Sequence, residues 1–151
     1  MISEEVTDLM GKVGDIMIME VERGAIKRYA DAVDDRNPVY WDEEYARSSR
    51  YGSIVAPPGF FGWPTKWTGG IPIRTKLRDE VSAILAQAGY SRGLDGGIEY
   101  EFFCPVRAGD ILAALPRIID IYEREGKTEK LAFLVIETIY TNQNGDLVAK
   151  A

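Results

Sequence analysis

Asp35, Asn37 and Tyr40 bring a carboxylate, an amide and a phenol into six residues around Pro38. A carboxylate can act as a general base, while a phenol can donate a proton or a hydrogen bond. A proline turn at the end of a helix holds such side chains rigidly, which suits a functional site. Asp and Asn are also common turn residues, and Tyr40 and Trp41 can simply belong to a core. The local pattern alone therefore favours a structural turn.

The composition excludes several kinds of chemistry. The 151 residues, 46% of them hydrophobic, predict one globular domain over residues 1–151. The chain has no histidine, which excludes a Ser-His-Asp triad, a Cys-His pair and a histidine metal site within it, and we expect neither a metal nor a cofactor. A single cysteine cannot form an internal disulfide, and the opening residues lack a signal-peptide pattern, so we expect a cytoplasmic location. The net charge of −6 disfavours nucleic acid and anionic membranes as partners, and no apolar run approaches the roughly 20 residues that span a bilayer.

The elements expected to position the turn alternate between strand and helix patterns. A β-rich segment at 15–22 is followed by a helical stripe that begins near Gly24, and Asp42 can cap a short helix. A further helical stripe begins at Leu77 and is ended by Gly89. The remaining strands are expected at 98–103, 111–123, 131–141 and 147–149. This order predicts an α+β domain with one antiparallel sheet packed on helix.

Three motifs in the expected order resemble the MaoC-like hydratase/dehydratase family, from about Gly14 to the C-terminus. They are Asp35-Arg-Asn-Pro-Val-Tyr40-Trp-Asp-Glu with Tyr51-Gly-Ser-Ile-Val-Ala-Pro-Pro-Gly-Phe60, then Gly97-Ile-Glu-Tyr-Glu-Phe-Phe-Cys-Pro-Val-Arg-Ala-Gly-Asp110, and Thr141-Asn-Gln-Asn-Gly-Asp-Leu-Val-Ala149. The resemblance implies the hot-dog fold, a long curved antiparallel sheet wrapped around a central helix.

The resemblance also implies a reaction: the addition or removal of water across the double bond of an enoyl thioester carried on coenzyme A or acyl carrier protein. The family motif is D-x-N-P-x-H, so Asp35 and Asn37 take the Asp and Asn positions, and Tyr40 takes the His position. An unperturbed phenol has a pKa of about 10 against about 6.5 for imidazole, so Tyr40 is a poor base near neutral pH. We therefore expect Asp35 to act as the base, with Tyr40 as a donor and Asn37 beside them.

A second departure from the family lies where the central helix is expected to begin. Catalytic relatives resemble Ile-Val-His-Gly there, with the glycine amide on the thioester oxygen, whereas this chain has Ile54-Val-Ala-Pro-Pro-Gly59. Proline has no N–H, so Gly59 or Phe60 is expected to supply the donor to the substrate. Residues 62–93 resemble an insertion, in which Trp63 and Trp67 either line a pocket for a bulky acyl or ring group or form one packed helix face.

With these two departures, the chain resembles the His-lacking hot-dog domains and subunits of the family that pair with a catalytic hot-dog domain. The sequence therefore predicts a hydro-lyase or a subunit of one, with Asp35 and Tyr40 in place of the family pair and an acyl-CoA or acyl-carrier thioester as ligand. It also predicts a homodimer, or a heteromer with a second hot-dog subunit. One alternative is a non-catalytic partner that binds the acyl chain and supports a separate catalytic chain. A weaker alternative is a hot-dog thioesterase in which Asp35 or Glu44 activates water.

Overall fold

The computed structural model describes residues 3–60 and 76–151, in which helices and strands alternate at first and strands follow. The helices are α1 (Glu4–Thr7), α2 (Arg23–Ala32), α3 (Glu43–Ser48) and α4 (Lys76–Gln87), and a 3₁₀ turn spans Pro38–Tyr40. The strands are β1 (Met17–Glu20), β2 (Glu101–Phe102), β3 (Ile111–Glu125), β4 (Lys130–Thr141) and β5 (Leu147–Lys150).

The strands form one five-stranded antiparallel sheet in the order β1-β3-β4-β5-β2. The longest part of the sheet is the β3–β4 hairpin, whose strands pair from Ala113 opposite Thr141 to Glu125 opposite Lys130. An irregularity in register between Ile118 and Asp120 interrupts this pairing, and such bulges bend the bulged strand. The predicted α+β class and single antiparallel sheet are confirmed.

The strand expected at 98–103 is much shorter than predicted. Only Glu101 and Phe102 pair with β5, and residues 90–100 have no regular structure. Gly93, Gly96 and Gly97 lie in this segment, and glycine weakens a strand because it adds backbone entropy and no side chain to pack. The helix α1, before the first strand, was not predicted.

The main core lies between α2, the 3₁₀ turn and the inner face of the sheet. Ile26 and Ala30 of α2 are fully buried, as the helical stripe predicted, and they belong to one cluster with Leu112 and Ala114 of β3. Phe60, also fully buried, packs edge-on against Tyr29 with ring centroids 5.7 Å apart. This core holds the 3₁₀ turn and the segment at 54–60 against the same sheet.

The helix α4 covers the far end of the β3–β4 hairpin. Leu77 and Val81 are buried in a second cluster with Leu9 and Ile118. The helix is followed by Gly89, whose positive φ of 97° is a conformation that glycine adopts without strain. Across residues 3–60 and 76–151, no helix is long and apolar enough to cross a membrane.

Candidate functional site

Two successive side-chain turns fix the backbone around Pro38. The Asp35 carboxylate accepts a hydrogen bond from the Asn37 N–H at 3.1 Å, and the Asn37 side-chain oxygen accepts one from the Val39 N–H at 3.2 Å. The indole N–H of Trp41 donates to the Asp35 carbonyl at 3.0 Å. Asp42 then caps α3 by accepting from the N–H groups of Glu44 and Tyr45. These bonds hold Tyr40 at a fixed place at the end of the 3₁₀ turn.

Asn37 and Tyr40 line a cavity of about 480 Å³. The other described residues that line it lie within 50–58 and 102–106, and most of their side chains are apolar or aromatic. A volume in this range accommodates a small-molecule ligand. The structure therefore brings two of the three predicted catalytic residues to one apolar cavity.

Tyr40 keeps its proton in this setting. The side chain is buried, with 8% of its surface exposed. Burial, and secondarily the charges of Asp35 and Tyr51, raise the pKa of the Tyr40 hydroxyl above its usual value. Near neutral pH the phenol is therefore a hydrogen-bond donor or acid, and it is not a base.

Asp35 lies near Tyr40 but outside the cavity wall. It is half-buried, and one of its carboxylate oxygens is engaged by the Asn37 N–H. Glu44 is exposed in the first turn of α3 and does not line the cavity either. Among the described residues that line the cavity there is no carboxylate. Within residues 3–60 and 76–151, no group of three or more Cys, Asp or Glu side chains can hold a metal ion.

The predicted donors to the substrate differ in what they can offer. The Phe60 N–H donates to the Pro57 carbonyl at 3.2 Å, and the Phe60 ring is part of the core. Gly59 is partly exposed and has a positive φ of 86°. The cavity wall itself is formed here by Pro57 and Pro58, which have no N–H to donate. Gly59 is thus the member of this pair whose amide is not engaged in the Pro57 turn.

Some expected site residues were not placed, and others were missed. Trp63 and Trp67 lie outside the described residues. Arg50 and Tyr51 line the cavity but were not among the predicted site residues. The available signal was that Tyr51 is the first residue of the Tyr51–Phe60 segment that carries the family resemblance, and that Arg50 immediately precedes it.

Comparison with known proteins gives the family. Residues 8–151 match the sequence profile described as FAS1-like, dehydratase domain region. The chain belongs to the FAS1-like dehydratase-domain family. A UPF0336 protein of Saccharopolyspora erythraea is 31% identical over 134 residues, which cover 87% of this chain and 77% of that protein. A probable enoyl-CoA hydratase alpha subunit of Thermomonospora curvata is 28% identical over 136 residues, covering 82% of this chain and 40% of that protein.

Solved structures agree on the fold of this FAS1-like dehydratase domain. The ChsH1–ChsH2 complex of Mycobacterium tuberculosis contains a chain with a TM-score of 0.83 at 20% identity, covering 97% of this chain and 89% of that one. A MaoC-like dehydratase from Rhodospirillum rubrum gives 0.64 at 24% identity, with 95% and 89% covered. The truncated HadBC complex of M. tuberculosis, a 3R-hydroxyacyl-ACP dehydratase, gives 0.64 at 27% identity, with 95% and 93% covered. The sheet is therefore the hot-dog fold of MaoC-like dehydratases, and the predicted family is confirmed.

Proposed function

We propose that this chain is the acyl-binding subunit of a two-subunit acyl-thioester hydratase/dehydratase. On this proposal it forms one hot-dog domain, with 62–93 as an insertion, and a second hot-dog subunit supplies the base. The observation that carries the proposal is the lining of the cavity, which offers the Tyr40 phenol and the Asn37 amide but no carboxylate among its described residues. Hydration needs a base to activate water. A lining that offers hydrogen-bond donors but no carboxylate therefore suits recognition of the thioester better than proton abstraction.

The comparisons support a heteromer. The ChsH1–ChsH2 and HadBC structures are complexes of two different chains, and the relative from Thermomonospora curvata is named as an alpha subunit. A loss of two catalytic groups points the same way. A positioned acid or base typically contributes about 10²–10⁴-fold and one oxyanion donor about 10²–10³-fold. Tyr40 replaces the first group and Pro58 removes a candidate for the second.

The second candidate is a self-sufficient hydratase in which Asp35 is the base and Tyr40 the proton donor. The observation in its favour is that Asp35 and Tyr40 flank one hydrogen-bonded turn, and that burial and, second to it, the charge of Asp35 raise the pKa of the Tyr40 hydroxyl. One carboxylate oxygen of Asp35 is held by the Asn37 N–H, and such a bond leaves the other oxygen free to accept a proton.

Turnover of crotonyl-CoA by the isolated chain distinguishes the two candidates. On the subunit proposal the isolated chain turns over slowly or not at all, and a hot-dog subunit with an intact D-x-N-P-x-H motif restores activity when it is co-expressed. In that complex, Asp35→Asn changes the rate little. Rapid turnover by the isolated chain, abolished by Asp35→Asn or by Tyr40→Phe, would refute the subunit proposal and establish the second candidate.

A further inference from the structure

The cavity beside Tyr40 contains a single charged side chain among its described lining residues. That residue is Arg50, and the rest of the lining is apolar or aromatic apart from Asn37, the two tyrosines and Cys104. Arg50 is exposed, so it lies at the open side of the cavity. Within residues 3–60 and 76–151 no carboxylate lies within ion-pair distance of Arg50, although the chain has an excess of acidic residues.

Tyr51 holds the Arg50 guanidinium in place. The guanidinium carbon lies 4.7 Å from the centre of the Tyr51 ring, and one terminal nitrogen donates to the Tyr51 hydroxyl at 2.6 Å. Guanidinium has five N–H donors in one plane, so this single bond leaves four donors for a ligand. The guanidinium carbon lies over the ring and one N–H is bonded to the ring's hydroxyl, so the other N–H groups on the edge of the guanidinium stay available to a ligand.

The backbone of Tyr51 is fixed in turn by two neighbouring segments. Its carbonyl accepts hydrogen bonds from Nε and Nη2 of Arg107, at 3.4 and 3.3 Å. Its N–H donates to the Ser49 hydroxyl at 3.2 Å. Arg107 follows the cavity segment 102–106, so one wall of the cavity anchors the residue that orients Arg50. A cation held in this way loses less conformational entropy when it binds a ligand.

We propose that Arg50 is the anion-recognition residue of this cavity and binds an anionic group of the thioester ligand. This inference rests on the proposed function, because it takes the cavity to be the thioester site. The anion has two possible sources, a carboxylate at the far end of the acyl chain and a phosphate of the carrier. Both present oxygen pairs that the planar guanidinium fork can bind in a bidentate manner.

Equilibrium binding of four thioesters distinguishes the two sources. The probes are crotonyl-CoA, glutaconyl-CoA, which is its counterpart with a terminal carboxylate, and the N-acetylcysteamine thioesters of the same two acids, which have no phosphate. Each is titrated into the full chain and its Arg50→Gln, Arg50→Lys and Arg47→Gln variants by calorimetry. Arg47 is the matched control, because it is an exposed arginine of α3 that lines a different cleft.

Loss of a hydrogen bond to a charged group corresponds to about a 10- to 100-fold weaker Kd. If Arg50 binds an acyl carboxylate, Arg50→Gln raises the Kd of both glutaconyl thioesters by this factor and leaves the Kd of both crotonyl thioesters unchanged. If Arg50 binds a carrier phosphate, Arg50→Gln raises the Kd of both CoA thioesters and leaves the Kd of both cysteamine thioesters unchanged. Arg50→Lys keeps the charge but loses the fork, so it should retain part of the affinity.

Three results would overturn the assignment. If Arg50→Gln binds all four probes with the same Kd values as Arg47→Gln, no anion of the ligand contacts Arg50. Equal weakening of all four, including the crotonyl cysteamine thioester that carries no anion, shows that Arg50 only supports the cavity wall. A wild-type chain that binds none of the four refutes the proposed function, and the assignment of Arg50 fails with it.

Discussion

Replacing Gly59 by alanine should cost more stability than its backbone conformation alone requires. Gly59 has a φ of 86°, and a Cβ atom added there would lie 2.8 Å from the Tyr29 hydroxyl oxygen. The left-handed conformation costs an alanine about 1–2 kcal/mol. Forcing an extra methyl into a packed region typically adds about 1–3 kcal/mol. We therefore expect Gly59→Ala to lower the free energy of unfolding by about 2–5 kcal/mol.

Gly145 provides the matched control for this substitution. Its φ of 82° is nearly the same, but among residues 3–60 and 76–151 a Cβ atom there would meet nothing within 4 Å other than its own chain neighbours. Gly145→Ala should therefore cost only the conformational part, about 1–2 kcal/mol. The measurement is urea-induced unfolding, with the free energies compared at equal m-values.

Tyr29→Phe tests the cause of the excess. It removes the hydroxyl oxygen that the new methyl would approach, so the double variant Tyr29→Phe/Gly59→Ala should be more stable than the sum of the single changes predicts. A favourable coupling of about 1–2 kcal/mol in this cycle would identify the contact. If Gly59→Ala costs no more than Gly145→Ala, or if the two changes at 29 and 59 are additive, then the close packing of Tyr29 on this turn does not limit the residue at 59.

Two further predictions concern the core. Ile118 of β3 is fully buried under α4. Changing it to Ala should lower the free energy of unfolding by about 2–5 kcal/mol, and changing it to Val by about 0.5–1.5 kcal/mol. Equal effects of the two substitutions in urea unfolding would contradict this packing. Burial raises the pKa of Tyr140 to about 12 from its usual 10, so the native state holds this proton more tightly than the unfolded chain. Stability should accordingly be nearly unaffected by this group below pH 10 and fall by about 2 kcal/mol as the pH rises from 10 to 12. Tyr140→Phe should make that decline shallower in unfolding measured across the alkaline range, and an unchanged slope would count against the shift.

The fold was more predictable from the sequence than the site. The stripe that contains Ile26 and Ala30 predicted the buried face of α2, because packing against the sheet buries most of its apolar members, although Val33 at the end of the helix is exposed. The strand at 98–103 was overestimated, because its β-rich residues are visible in the sequence whereas the number of them that pair with β5 is not. Strand pairing is a property of two segments, and a single segment cannot report it.

The site was only partly predictable, for a similar reason. The turn chemistry that holds Asp35, Asn37 and Tyr40 is local, and it could be anticipated from residue types and spacing. The cavity is not local, since Arg50 and Phe102 reach it from segments about fifty residues apart in the chain. An arginine before a tyrosine has no pattern that indicates a cavity, so beyond its place next to the segment that carries the family resemblance, only the three-dimensional arrangement identifies Arg50.

Tyr40 lies where the family resemblance implies a histidine, and on the proposed function this difference changes what the position can do. An imidazole with a pKa near 6.5 both gives and takes a proton near neutral pH, whereas the usual pKa of a phenol is already about 10. Burial and the nearby charge of Asp35 raise the pKa of Tyr40 further, so any pH that deprotonated it would be far from neutral. A subunit with this residue gains a permanent hydrogen-bond donor and loses a reversible base. For such a subunit to contribute to hydration, the base must come from Asp35 or from a second chain, and the activity of the isolated chain decides between them.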